Sequence, residues 1–438
     1  MVPQQVGDWV LHELPRLNEA ILQDHAPLEV LVTESRQHVL HHLPDVNRLT
    51  PVEAQRLVVH LGFVGASVAR HYQERSPGGT EHPERAFAGL AVGHDRLPFR
   101  RYFAALADQT GAGHYERDSY ASLVRWNVGT VLVRRSGEVV AELPGVFDDG
   151  HIRSYTGTPG EHRFFLLVKQ GEAIELAVNC TLLPLMRDDA DLTGENARHR
   201  VREATVLLGA LRRLLLDFAA SPPDQTMAAE MFMDVFRQFA AHWTPDDIPP
   251  SGALDPEALK RDFLLGIAEP GYDRLAQRLF PALLEQERAD IGGLMSAPTL
   301  PQRLLGEIGW DESALRLSGD AELRRLVARY PALIDWYRLL AMHAQVSGAH
   351  LMLSKRYLFH PQRLRDRAGL GDRHLVSNRA GTTGMTESFL ERLTRARQRH
   401  TLAALRPVLT ADGPARTPLA QVDRRRAEAA PVVLELTG

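Results

Sequence analysis

The sequence predicts a mostly α protein with a small β excursion, and three observations carry that reading. Apolar side chains recur at spacings of three and four through residues 52–74, 199–219 and 320–358, as in helices that turn one face to a core. Strand-like character is confined mainly to residues 128–143, "VGTVLVRRSGEVVAEL", where Ser136-Gly137 reads as a hairpin turn. No internal repeat and no low-complexity block interrupts the pattern.

Each part of the chain then takes its place. A length of 438 residues suits a large helical body with a smaller partner. The stretch "SYTGTPGE" marks a boundary, so residues 1–158 form a smaller N-terminal domain carrying the hairpin and residues 159–406 the large helical domain. Residues 407–438 lose periodicity and are expected to be a mobile C-terminal extension. Residues 244–256, "TPDDIPPSGALDP", read as a surface connection. Residues 361–384, rich in arginine and glycine, read as a loop of the length that lids and binding loops use.

Composition excludes several functions. Hydrophobic residues make up 44% and charged residues 24%, which is ordinary globular material. The 51 basic and 55 acidic residues leave a net charge of −4 and no global pull toward nucleic acid. Cys180 is the only cysteine, so no intrachain disulfide and no cysteine-based zinc or iron–sulfur site can form. In "LAVNCTLLPL" it reads as a small buried hydrophobe. No basic leader precedes an apolar core, and no apolar run approaches the roughly 18 residues of a membrane span. The expectation is a cytoplasmic protein with no membrane and no nucleic-acid partner.

Four stretches carry candidate chemistry. In and just before "QVSGAHLMLSKRYLFHP" (345–361), His343, Val346, His350, Leu353 and Tyr357 share one helical face. The two histidines are seven residues apart, about 10 Å along the axis at the standard rise, too far to share one metal. An inward histidine suits either a packed core or a single axial bond to haem iron, for which Ser347, Gly348 and Ala349 offer space. In "RAGTTGMTESFLERL" (379–393), Gly381 and Gly384 bracket Thr382 and Thr383 ahead of a helix beginning near Thr386. Hydroxyls and backbone N–H groups at a helix start suit a carboxylate, and equally a flexible helix entry. In "AAEMFMDVFRQFAAHW" (228–243), Arg237 lies among Phe232, Phe236 and Phe239, as a carboxylate clamp beside an aromatic ligand or as a surface arginine lying over phenylalanine. In "RSYTGTPGEHRFFLLVKQGEAIEL" (153–176), a Gly/Pro turn opens a helix with the pair Phe164-Phe165.

Together and in this order, these stretches resemble the indoleamine 2,3-dioxygenase family of the haem-dependent tryptophan dioxygenase superfamily. "GAHLMLSKRYLFHP" is similar to its proximal-histidine helix, and "AGTTGMTESFLERL" to its Gly-Thr-Gly-Gly-Thr loop and following helix. "FMDVFRQFAAHW" resembles the segment with the substrate-carboxylate arginine, "YTGTPGEHRFFLLVKQGEAIE" the distal helix, and "DIGGLMSAPTLPQRLLG" (290–306) the Gly-Gly-Ser-Ala segment above the haem. The resemblance covers about residues 150–390. It implies haem b held by His350 as the axial iron ligand, with Gly292, Gly293, Gly381 and Gly384 beside the cofactor. It implies Arg237 as the clamp for an amino acid carboxylate, Phe164 and Phe232 as pocket walls, and Val168, Thr382 and Thr383 at the substrate. The N-terminal domain is expected to contribute to the distal pocket. Val168 stands where many members have a serine, Thr383 replaces a glycine, and Met385 falls on the loop's second threonine. The superfamily also includes the ring-rearranging haem enzyme of pyrrolnitrin biosynthesis, which has a similar "RSYTG" stretch and a Trp-Asn pair like Trp126-Asn127.

The expected function is a haem-dependent oxygenase that inserts dioxygen into the indole ring of L-tryptophan or a close indole amino acid, giving an N-formylkynurenine-type product. Dioxygen is the co-substrate and a reductant must keep the iron ferrous. Two alternatives stand beside it: a haem enzyme of specialised metabolism that rearranges or hydroxylates a tryptophan-derived substrate, and a haem-binding sensor of the same fold.

Overall fold

Thr-Pro pairs start two of the longest helices. Thr50 caps helix α1 (Pro51–Arg75) by accepting from the Glu53 amide, and Glu53 returns the bond to the Thr50 amide at 3.0 Å. Thr158 does the same for the Glu161 amide at the start of helix α2 (Pro159–Leu182). In both, proline occupies the first helical position, where no N–H is needed. In the computed structural model, residues 4–112, 115–371, 375–377, 381, 383–410, 421–425 and 432–437 are described. Helix accounts for 66% and strand for 5%, so the protein is mostly α, as expected.

Helix α3 (Glu195–Ala220) packs along α2 on one side and along helix α6 (Ala332–Ser354) on the other. Shorter helices α4 (Pro256–Leu265) and α5 (Glu285–Met295) close one end, and helix α7 (Glu387–Gln398) lies on α6. Thr386 caps α7 through the Phe389 amide at 3.2 Å, where the sequence placed a helix start. A contiguous apolar core runs from Val6 to Leu436, so the stretches expected as three domains, 1–158, 159–406 and 407–438, share it. Where Trp243 meets α1, a Cβ on Gly65 would lie 2.4 Å from the indole, so only glycine admits this approach.

Strands β1 (Ala91–Val92) and β2 (Leu97–Pro98) form a minimal ladder. Strands β3 (Val131–Arg135) and β4 (Glu138–Leu143) form the predicted hairpin. Its turn residues Ser136 and Gly137 both have positive φ, +52° and +85°, which matches the right-handed twist of the flanking strands.

Three expectations are corrected. Within the C-terminal stretch the described residues include two strands of a sheet: β5 (Gln421–Arg425) pairs antiparallel with β6 (Val432–Thr437), and β6 runs parallel beside β3 in a sheet of order β4-β3-β6-β5. Leu434 and Leu436 alternate inward, a period-two pattern too short to stand out in the sequence. The loop expected from residue 361 is helical at its start, because α6 continues through a π-helical turn (Lys355–Phe359) into a helix over His360–Arg367. Pro361 has no N–H to donate back to Tyr357, which fits a widened turn just before it. Cys180 is exposed rather than packed. Among the described residues no helix is long and apolar enough to cross a membrane.

Candidate functional site

Helix α2 presents Phe164, Val168, Gly171, Glu172 and Glu175 along one face, at spacings of four, three, one and three. That face borders a cavity of about 380 Å³, within the range that holds a cofactor or a small ligand. His350 and Ser347 of α6 border it on another side, and Phe232, Phe236 and Arg237 close a third. The N-terminal 158 residues contribute Asp118, Tyr120, Leu123, Val124 and Tyr155. The stretch expected as a surface connection supplies Pro250, Ser251 and Asp255 as wall, with Pro250 and Asp255 buried. Its Pro-, Asp- and Gly-rich composition signals irregular backbone, and irregular backbone can line a cavity as well as a surface.

One end of the cavity is aromatic. The ring centroids of Phe164 and Phe232 are 5.1 Å apart, those of Phe164 and Phe236 5.3 Å, and those of Phe232 and Tyr357 5.6 Å. These distances suit offset or edge-on packing, which excludes water without filling the space. Arg237 projects into this end from a short 3₁₀ turn (Phe236–Phe239) that follows a π-helical one (Met231–Val235). Only 5% of Arg237 is exposed, and burial pulls its guanidinium down to about 10, which leaves it cationic at neutral pH. Arg70 holds the turn from outside by donating to the Val235 and Asp234 carbonyls at 2.8 and 3.4 Å.

His350 has an unusual environment. Protein surrounds the side chain closely enough that burial, with the Arg397 and Arg261 guanidiniums, pushes its imidazole down to about 4. Yet the residue is exposed, and it borders the cavity. Its ring makes no hydrogen bond with any described residue; the Ser354 hydroxyl bonds only the His350 carbonyl. A neutral imidazole with free ring nitrogens beside a cavity is a ready metal or hydrogen-bond ligand.

Beside His350 lies a polar cluster that the sequence reading missed. The Asp262 carboxylate accepts from Arg397 Nε at 3.1 Å and Nη2 at 2.5 Å, and from the Tyr272 hydroxyl. Arg397 also reaches Ser347 Oγ at 3.0 Å, and Arg261 pairs with Glu175 at 2.9 Å. The guanidiniums hold Asp262 well below the usual carboxylate range despite complete burial. Asp262 ends the charged triplet Lys260-Arg261-Asp262, which reads as a helix surface, so the sequence offered no local signal of its burial.

The structure brings together Phe164, Val168, Phe232, Arg237, His350, Gly381 and Thr383 on this cavity. Thr383 Oγ1 and Tyr357 Oη are buried there without hydrogen-bond partners. It does not bring Gly292, Gly293 or Gly384 to the cavity wall. Gly292 and Gly293 lie in α5 with open space beside them, and Gly384 takes the left-handed φ of +80° that a turn into α7 requires. Of the three small residues before His350 only Ser347 borders the cavity: Ala349 is buried elsewhere and Gly348 faces open space. Thr382 lies outside the described residues. Among the described residues, no three His, Cys, Asp or Glu side chains converge as a metal-binding group. No model of a known protein family matches the chain, and no curated protein matches it.

Proposed function

We propose that the cavity holds haem b through His350 and that the protein is a haem-dependent oxygenase of L-tryptophan or a close indole amino acid. One observation carries the reading: an imidazole surrounded by protein, kept neutral and without a hydrogen-bond partner, opens onto an apolar cavity. The residues fit the group, since a macrocycle brings its own nitrogen ligands and asks the protein for a single axial donor. The motif order shared with the indoleamine 2,3-dioxygenase family supports the same assignment.

When bound, ferrous haem supplies the activation of dioxygen, and a reductant must return the iron to that state. His350 would hold the iron, and burial pulls its imidazole down to about 4, so the ring is neutral at neutral pH. Arg237 captures the carboxylate of the amino acid and so orients its side chain, a task its planar fork performs in two parallel bonds. Phe164, Phe232 and Phe236 bracket a flat ring and keep water away from it. Val168 offers no hydrogen bond at that wall. The buried hydroxyls of Tyr357 and Thr383 supply donors for a ligand's polar end.

The test uses the purified full-length chain, reconstituted with haem, reduced and given L-tryptophan in air. The expected product carries both atoms of dioxygen and absorbs as a kynurenine. A product carrying one added oxygen favours the hydroxylating alternative. Haem uptake without turnover favours the sensor, and failure to take up haem overturns all three readings.

A further inference from the structure

Gln238 follows the arginine clamp directly and is fully buried. Its Nε2 donates to the Met233 carbonyl at 2.7 Å. Its Oε1 accepts from the Val376 amide at 2.9 Å and the Ser377 amide at 3.1 Å, across a sequence separation of 138 and 139 residues. All three partners are backbone groups, so this one carboxamide joins the turn that carries Arg237 to Leu375–Ser377. Other contacts reinforce the junction. Arg365 bonds Asp234 at 2.5 Å and the Gly371 carbonyl at 3.3 Å. Met233, Leu358 and Phe359 form a small apolar cluster of their own, with Leu375 and Leu390 packed on it.

The backbone around Arg237 makes such anchoring necessary. A π-helical turn gives way to a 3₁₀ turn at Val235, so no regular ladder fixes the segment from within. Its position is set by Arg70 on one side and by Gln238 and Arg365 on the other. An apolar side chain at 238 would leave two amides of the facing segment without their acceptor.

We propose that Gln238 is a positioning residue that couples the capture of a ligand carboxylate at Arg237 to the seating of Leu375–Ser377. The coupling rests on reading Arg237 as the clamp for an indole amino acid. The hydrogen-bonded junction itself does not.

The experiment compares wild type, Gln238→Leu and Gln238→Glu by amide hydrogen exchange of peptides containing Val376 and Ser377, with and without saturating L-tryptophan. Without ligand, Gln238→Leu is expected to exchange about tenfold faster there, the loss of roughly one good hydrogen bond. Gln238→Glu keeps an oxygen for both amides, and its carboxyl when protonated can replace the Nε2 donor to the Met233 carbonyl, so protection is expected to return in the protonated variant. With ligand, wild type gains further protection at these two amides, and Gln238→Leu does not gain it even at concentrations that saturate the variant. A merely structural role would not abolish that ligand-dependent gain. Equal exchange in wild type and Gln238→Leu overturns the junction, and an equal ligand-dependent gain overturns the coupling. A wild type that binds no L-tryptophan overturns the functional reading instead, and exchange in the ligand-free proteins still decides the junction. Should Gln238→Leu not fold, Gln238→Asn, with the same amide one methylene shorter, carries the same comparison.

Discussion

Two histidines two turns apart on α6 show how much the same residue on the same helical face can differ. Burial pushes both well below the ordinary histidine range. His343 is sealed, with 1% of its surface exposed, and its Nε2 lies 3.4 Å from Asp262 Oδ1, too poorly aimed for a hydrogen bond. His350 opens onto the cavity. Periodicity puts both inward, and only the packing opposite decides which one meets solid core and which one meets space. The proposed chemistry therefore separates them completely.

The largest expected effect follows from that contrast. His350→Ala should abolish haem uptake, read as the loss of the axial-histidine absorbance band. His343→Leu should retain full haem stoichiometry and change stability by less than about 1.5 kcal/mol, since it removes an unsatisfied buried ring at similar volume. Haem uptake that survives the first substitution and fails in the second would reverse the assignment.

Asp262 stands between the two histidines and tests what they share. Asp262→Ala strands Arg397 in the interior, and loss of one partner of a buried ion pair costs about 3–5 kcal/mol. Urea denaturation should show that loss in the haem-free protein, well before any question of cofactor arises. A loss below about 1 kcal/mol would mean that water relieves Arg397 through the cavity.

Arg237 tests the opposite end of the same cavity. Arg237→Leu should weaken binding of L-tryptophan by about 1.5–3 kcal/mol, the usual worth of hydrogen bonds to a charged group, or roughly 10- to 150-fold. Binding of indole itself, which has no carboxylate, should change little. Equal weakening of both ligands would make Arg237 a support for the aromatic wall rather than a clamp.

The parts that sequence makes legible are those written in local pattern. The helices over 52–74 and 199–219, the Ser136-Gly137 hairpin and the Thr386 cap depend on residues within a turn of one another and appear where expected, whereas the periodic stretch 320–358 is broken at Tyr330-Pro331 into two helices. His350, Arg237, Phe164 and Phe232 are legible only through the order of their motifs, since each alone reads equally as packed core or helix surface. What escaped depends on distant partners. Nothing near residue 432 announces a parallel ladder with Val131. Nothing near Gln238 announces amides 138 and 139 residues away. Gly292 and Gly293 show the converse hazard, since a motif can match in letters while its helix faces elsewhere.

The smallest effect, and the one that sharpens the comparison most, is the response to pH. A histidine with an ordinary value near 6.5 and a folded value near 4 binds its proton less readily in the folded protein. It therefore costs no stability above 6.5, and stability falls as pH drops from 6.5 toward 4. His60, pushed by burial down to about 3, acts in the same direction, as does His343. Glu161 acts oppositely: burial raises it from 4.5 to about 7, so its contribution is complete below 4.5 and is lost as pH rises toward 7. His343→Leu and His350→Ala should each make the acid limb of the stability curve shallower. Haem affinity should separate them again. It should stay flat from pH 8 to about 5, where His350 is neutral, and fall toward tenfold per unit below about 4, where a proton competes for the same nitrogen. A midpoint near 6.5 instead would mean that His350 behaves as a histidine in water, and that the protein around it does not tune the ligand at all.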